Sequence, residues 1–391
     1  MTHSGHCTCR ALLGLLLSTV AGCADYSAAS RFRAMPAQDD VIAAADWYRP
    51  VMRVAGGSAV DRSPTERSIA TDHDGIAARS SALLAVARKW DSLALVVLEN
   101  GRIAFEHYEE PGGPTFRFDS QSMHRALLAL VFGAALESGA LNSLDASVAD
   151  FLPEWRADSR SRITLRDLLY HQSGFVDPPY QFAADSPGMQ LFIGTQLEAL
   201  LLAQQPQSAP GRVFRGSALD AQLLGLILER ATRQPYADFL SRNIWRPIGA
   251  QDAFVRLDRP RGTTRTFCCI SATARDWARV GLVMLNGGRV GNRQVIPADW
   301  IRQLLTPSPL NPAYGGYWML EAIPLTPRSV AASGAPPVAT PFSAPDVYYA
   351  GGRGGQRVYV IPSRQAVVVR FGKIRNDFDD GAFLNPILEV L

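Results

Sequence analysis

The sequence predicts an α+β protein in which one antiparallel sheet is assembled from both ends of the chain and a mostly helical lobe is inserted between them. Three observations carry this expectation. Leu93–Glu99 and Arg102–Tyr108 flank Asn100-Gly101, the strongest short-range hairpin signal. Near the other end, Gln356–Ile361 and Gln365–Phe371 flank Pro362-Ser363-Arg364 in the same way. Between these hairpins, residues from about 120 to 265 read as helices and loops, which must pack as a lobe against the sheet.

Composition is that of an ordinary globular protein. Of 391 residues, 47% are hydrophobic and 32 are glycine, enough for a large core and many turns. A net charge of +3 leaves no nucleic-acid footprint. Five cysteines are too few for a disulfide scaffold in a chain of this size. The six histidines are scattered, none in a zinc-like spacing, so no metal or other cofactor is expected. Only Lys89 and Lys373 are lysines; every other basic residue is an arginine.

In chain order, Met1 to Arg10 carry one basic side chain and Ala11–Val20 is apolar but too short to span a bilayer, so residues 1–22 read as a signal peptide. The segment ends Val20-Ala21-Gly22-Cys23, which resembles a bacterial lipoprotein lipobox with Cys23 as the lipidated residue. The resemblance implies a periplasm-facing lipoprotein of the cell envelope, held on a membrane through that anchor. Ala24 after the cysteine points to the outer membrane. An ordinary cleaved signal with a chance cysteine is the alternative. Residues 23–80 are polar and turn-rich and read as a tether and arm, in which Asp46-Trp47-Tyr48-Arg49-Pro50 is able to dock. Residues 81–391 form the main domain, with a sheet lobe over about 81–119 and 266–391 and a helical lobe over about 120–265. Ser329 to Pro345, rich in Ala, Pro and Ser, reads as a surface loop. Cys268 and Cys269 read as two small buried residues, because adjacent cysteines rarely bridge.

The chain is organised around Phe118 to Ala140, which opens with polar residues, continues as an Ala/Leu-rich apolar run and stops at Gly139. Ser122 lies at the start of this buried helix, where backbone N–H groups without intrahelical partners can stabilise a developing oxyanion. A serine there is also the preferred helix cap. Downstream follow Gly139-Ala140-Leu141-Asn142-Ser143-Leu144-Asp145, Phe151-Leu152-Pro153-Glu154-Trp155 and Ile163-Thr164-Leu165-Arg166-Asp167-Leu168-Leu169-Tyr170-His171-Gln172-Ser173-Gly174-Phe175. In this order and spacing the segments resemble the serine β-lactamase and penicillin-binding-protein superfamily, especially its class C-like, esterase-like and 6-aminohexanoate-hydrolase-like branch. The resemblance runs from about Asp91 to the C-terminus.

The superfamily's Ser-x-x-Lys motif corresponds to Ser122-Met123-His124-Arg125. The serine is present and the lysine is replaced by Arg125, three residues on and on the same helical face. A buried lysine can lose its proton and act as base, whereas arginine cannot. The second motif, Tyr-x-Asn or Tyr-x-Ser, corresponds to the segment Pro210 to Gly225. There Gly216 holds the tyrosine's place and Ala218 the asparagine's, or Phe214 the tyrosine's if the register slips by two. Neither register supplies a phenol. Ser217 reads as a helix cap. The third motif, a glycine-containing strand lining the cleft, corresponds to Gly351-Gly352-Arg353-Gly354-Gly355-Gln356. Here Arg353, Gly354 and Gly355 are candidate substrate-binding residues, with a tight turn as the alternative. Trp245–Ala250 and Ser271–Gly281 resemble signatures of the fold. His171 reads as a structural histidine, and Tyr314, Tyr317 and Trp318 as core or cleft lining.

Two functions stay open. Ser122 attacks an amide or ester of a small-molecule or peptide substrate and forms an acyl-enzyme, slowly because Arg125 and Gly216 replace the proton-transfer groups. His124 or a tyrosine of the Tyr314 loop would then replace the base, although His124 points about 200° around the helix from Ser122. Alternatively, the protein is a catalytically inactive envelope lipoprotein that binds a peptide, wall fragment or protein partner in the same cleft.

Overall fold

The computed structural model describes residues 25–37, 40–57, 76–322 and 339–391. The signal peptide, Cys23 and most of the Ser329 to Pro345 segment lie outside the described residues. The strands are β1 (Val51–Val54), β2 (Ser92–Glu99), β3 (Arg102–Tyr108), β4 (Arg117–Asp119), β5 (Ala253–Arg256), β6 (Ser271–Thr273), β7 (Arg289–Val290), β8 (Arg293–Gln294), β9 (Tyr348–Gly352), β10 (Gln356–Ile361) and β11 (Ala366–Gly372). They form a five-stranded antiparallel sheet of order β3-β2-β11-β10-β9, a four-stranded sheet of order β1-β5-β6-β4 and a small β7-β8 ribbon.

Both expected hairpins are present, and the two ends of the chain meet where β2 pairs with β11, Leu98 opposite Val367 and Val97 opposite Val368. Asn100 and Gly101 both take positive φ, +51° and +76°, as a two-residue hairpin turn between right-twisted strands requires. Alternate side chains leave the main sheet on opposite faces. Leu95, Val97, Tyr359 and Val368 pack with Leu83 and Ala87 of the Ile76–Lys89 helix and with Phe383 and Ile387 of the Asp380–Leu388 helix. Val96, Leu98, Val358 and Val369 pack into the core shared with Trp277 and Val280 of the Ala274–Leu285 helix and with the helical lobe. Because both faces are covered, Leu93–Leu98 reads as an unbroken apolar run rather than an alternation.

The helical lobe contains His124–Glu137, Leu165–Leu169, Pro187–Ile193, Leu197–Leu202, Ala218–Thr232 and Tyr236–Leu240. The return helix, Ala274–Leu285, is capped by Thr273, whose hydroxyl accepts the Asp276 N–H.

The N-terminal region is more than a tether. Tyr48 is fully buried and its hydroxyl donates to the Leu257 carbonyl at 3.0 Å. Arg31 is 3% exposed and donates to the carbonyls of Ile193 and Asp258, both at 2.7 Å. β1 joins the four-stranded sheet beside β5, and the Ile76–Lys89 helix crosses the expected boundary at residue 80. In the sequence Asp46–Pro50 reads as able to dock; which groups it and Arg31 meet, carbonyls more than 150 residues away in the chain, only the tertiary structure decides.

Candidate active site

The site starts from one braced turn. β4 ends at Asp119, Gln121–Met123 forms a single 3-10 turn, and the helix His124–Glu137 follows and stops before Gly139 at φ +72°. Gln121 sits at φ +49°, a left-handed conformation that costs energy in a non-glycine residue, immediately before Ser122. The turn is held from two sides. Asp119 Oδ1 accepts the Gln121 backbone N–H at 2.8 Å and its side-chain amide at 3.0 Å, while Oδ2 accepts from Arg256 at 2.5 Å.

Opposite runs the segment Phe267 to Ile270, and each of its four residues bonds to the turn or helix. The Ile270 carbonyl accepts Ser120 N–H (3.1 Å) and Cys269 N–H donates to Gln121 O (3.0 Å). The Cys268 carbonyl accepts His124 Nδ1–H (2.9 Å), and the Phe267 carbonyl accepts Arg125 Nε–H (3.0 Å). Within it Cys268 and Cys269 are disulfide-bonded to each other. This corrects the expectation of two separate buried thiols. They are buried, at 2% and 3% exposure, but the backbone here takes φ +76° at Cys269 and brings the two sulfurs together.

Ser122 is half-buried, and among the described residues neither the turn nor the following helix has a side-chain cap. Its hydroxyl is therefore not spent on helix capping. It opens instead on a cavity of ≈ 340 Å³, the size of a small-ligand site, lined also by Arg125, His171, Phe214, Gly216, Tyr314, Tyr317 and Gly351. Candidate positions from the first two motifs thus meet in one place. Ser122 and Arg125 form one wall, Gly216 the exposed rim, and Phe214, the alternative tyrosine position, also lines the space. Ser217 caps the Ala218–Thr232 helix by accepting Leu219 N–H at 3.1 Å, and Asp177 accepts the Ala218 N–H beside it at 2.8 Å.

The third motif is placed differently. Arg353, Gly354 and Gly355 form the β9–β10 turn and do not line the cavity; Gly351 on β9 does. Gly354 and Gly355 take φ of +75° and +87°, and their role is to let the chain reverse against Ile374 and Phe378. Close approach of β9 to the Ser122 turn is permitted at Gly352, where a Cβ would lie 2.5 Å from the Ser120 carbonyl oxygen.

His171, read from the sequence as a structural histidine, is buried and hydrogen-bonded, and it also lines the cavity with Ser122. It is 2% exposed, its Nδ1 lies 3.0 Å from Asp220 Oδ2, and the Ser217 N–H donates to Nδ1 at 3.3 Å. Asp220, fully buried on the first turn of the Ala218–Thr232 helix, accepts the Ser173 hydroxyl on Oδ1 at 2.5 Å. Burial, reinforced by the Arg125 charge, holds the His171 imidazole well below its usual range, so it is neutral. Burial pushes the Asp220 carboxyl well up, while the Ser173 hydroxyl and Arg125 pull it back. No local sequence signal marked Asp220, which reads as an ordinary acid in a helix first turn. Tyr314 and Tyr317 flank the imidazole with ring centroids 5.4 and 4.9 Å away, and Trp318 is core.

His124 is excluded from proton transfer at Ser122. It is fully buried, with Nδ1 on the Cys268 carbonyl and Nε2 on the Tyr236 hydroxyl, both at 2.9 Å. Burial lowers its pKa to about 4. Because the unfolded chain binds this proton first, near the ordinary histidine value of about 6.5, neutrality of His124 favours the folded state above that pH. The advantage disappears as pH falls from about 6.5 toward 4, a loss on the order of 3 kcal/mol. Urea unfolding at pH 7 and pH 4 should therefore show a steeper acid loss for the native chain than for His124→Gln; equal losses would remove this account.

The beta-lactamase family model matches residues 81–386. The chain belongs to the beta-lactamase family. Among curated relatives, the 6-aminohexanoate-dimer hydrolase of Paenarthrobacter ureafaciens is 25% identical over 224 residues, covering 54% of this chain and 56% of that protein. Esterase EstB of Burkholderia gladioli is 31% identical over 220 residues, covering 50% and 55%. The matched region thus spans about half the length of these curated relatives. A solved Bacillus anthracis structure, assigned as a 6-aminohexanoate-dimer hydrolase, superposes with a TM-score of 0.71 over 89% of this chain and 92% of that one at 17% identity, a likeness of fold. Beta-lactamase family membership places the chain among β-lactamase-related serine hydrolases, with esterase and amide-hydrolase relatives.

Proposed function

We propose that this protein is a serine hydrolase that cleaves an amide or ester bond through an acyl-enzyme on Ser122. The observation that carries the reading is a hydroxyl that caps no helix, at a braced turn with a left-handed residue before it, opening on a ligand-sized cavity. The Ser122 N–H is the turn amide left as a donor for the oxyanion, since those of Gln121, Met123 and His124 are bonded to Asp119, Ser120 and Gln121. The names of the curated relatives, an amide hydrolase and an esterase, support both bond types. Mostly aromatic and apolar side chains around Ser122 favour a substrate with an apolar body, and the Arg125 guanidinium offers an anchor for an anionic group.

Arg125 cannot accept the serine proton and Gly216 has no phenol, so turnover is slower than in a site with lysine and tyrosine there. These two substitutions also favour the second reading, an inactive binder using the same cavity. Labelling of the purified protein with a fluorescent phosphonate separates the two: a modified peptide containing Ser122 supports the hydrolase, and an unlabelled native chain supports the binder.

Restoring the two side chains is feasible, since a Cβ at Gly216 meets no atom within 4 Å. The double variant Arg125→Lys, Gly216→Tyr should label at least about tenfold faster than the native chain, in keeping with the usual 10²–10⁴-fold worth of a positioned base. A folded double variant with no gain would mean that positions 125 and 216 do not serve proton transfer.

A further inference from the structure

We propose that His171, oriented by Asp220, is the general base that takes the proton of Ser122. The inference rests on the hydrolase reading above and names the group which that reading leaves open. The alternatives around the cavity are engaged elsewhere or unsuited. His124 has both ring nitrogens bonded in the core, Arg125 does not deprotonate, and the Tyr317 hydroxyl donates to the Leu168 carbonyl at 3.0 Å. Burial pushes the Tyr314 phenol well above its usual range, so it does not ionise to a base near neutral pH.

His171 has the arrangement a base needs. Its imidazole lines the same cavity as Ser122, while its Nδ1 side is turned to a buried carboxylate that is itself held by Ser173. The base role requires Asp220 to ionise, so that Nδ1 carries the hydrogen and donates to Oδ2 in place of accepting the Ser217 N–H, leaving the Nε2 lone pair free. In this state the three residues have the role order of a serine-histidine-aspartate triad, reached from chain positions 122, 171 and 220. No hydrogen bond joins Ser122 to His171 among the described residues, and the base role requires one in the substrate complex, directly or through one water.

Ser122 Oγ forms a bond to the acyl carbon while its proton passes to Nε2, giving an imidazolium beside the Asp220 carboxylate. As the bond to the leaving alcohol or amine breaks, Nε2 returns that proton to it. Water then repeats the sequence on the acyl-enzyme and releases the acid.

Asp220 acts through His171 and is a positioning residue. Groups that set the pH response are Asp220, Arg125, Asp167 and Asp177 by charge, and Tyr314 and Tyr317 by desolvating the ring. Arg125 opposes the imidazolium and Asp220 favours it.

The test is the rate of phosphonate labelling and of p-nitrophenyl acetate hydrolysis across pH 4 to 8 for the native chain, His171→Gln, His171→Ala and Asp220→Asn, each checked by circular dichroism. The native rate should rise with pH along a single-proton limb lying below the ordinary histidine value of about 6.5, the side to which burial and Arg125 move His171. His171→Gln should fall on the order of 10²–10⁴-fold and lose that limb, Asp220→Asn should shift it, and added imidazole should partly restore His171→Ala. Should His171→Gln misfold, the imidazole response of His171→Ala and the Asp220→Asn profile decide the matter. Native-like rates and profiles in the histidine variants overturn the proposal while leaving Ser122 as nucleophile. An unlabelled native chain overturns both.

Discussion

Ser122→Ala leaves the protein as stable as the native chain and removes its covalent labelling. The two halves of this expectation come from one observation. A serine that caps a helix stabilises it by about 1 kcal/mol, and its replacement by alanine shows as a lower melting temperature. Ser122 makes no such bond, so the stability change should stay within roughly 0.5 kcal/mol, the range of substitutions that break no structural feature. As the nucleophile, by contrast, it is the one group without which no acyl-enzyme forms. Loss of a nucleophile that works in concert with a base costs up to the order of 10⁶ in kcat. Where native turnover is already slow, the fall reaches the uncatalysed background. Thermal melts beside labelling gels check both parts. A marked drop in melting temperature with labelling retained would return Ser122 to a structural role.

Asp119→Ala should be the most destabilising single change at the site, by about 3–5 kcal/mol, because it leaves the Arg256 guanidinium buried without its carboxylate. Asp119 is 1% exposed and Arg256 6%, and the guanidinium packs against the rings of Trp47 and Tyr48 with centroid distances of 4.9 and 4.8 Å. The same carboxylate holds the Gln121 N–H, so its loss also frees the left-handed residue before Ser122 to relax toward ordinary backbone. Labelling should therefore slow even in the folded fraction. Asp119→Asn keeps an acceptor for Gln121 but not the charge, and should recover more of the labelling rate than of the stability. Urea midpoints for the two variants provide the check; a loss under about 1 kcal/mol for Asp119→Ala would show that Arg256 finds another partner or reaches water.

The curated relatives cover an amide hydrolase and an esterase, and the cavity contains nothing that selects one bond over the other. Proton delivery to the leaving group matters more for an amine than for an alcohol, since an amine departs poorly without it. A site served by His171 alone is therefore expected to cleave activated esters before amides, a preference that p-nitrophenyl esters and anilides in the pH series would expose.

What the amino-acid sequence determined by itself is what depends on neighbours along the chain. Asn100-Gly101 specifies a hairpin because two successive residues tolerate positive φ; Ser217 specifies a helix start because its hydroxyl reaches an amide two residues on. The spacing of Ser122 and Arg125 puts both on one face of one helix, and the apolar runs of β2 and β11 report burial on both sides of a sheet. Tertiary structure alone decided the rest. His171 and Asp220 lie 49 residues apart and become a pair only because the Ala218–Thr232 helix starts against the turn after Leu169. The bond between Cys268 and Cys269 follows from a left-handed residue in a segment pinned at four successive positions to the Ser122 turn and the helix after it. The glycines of the β9–β10 turn read equally as strand edge or reversal until Ile374 and Phe378 are seen beneath them. In each case the deciding quantity is burial next to a distant group, which short-range spacing and propensity do not encode.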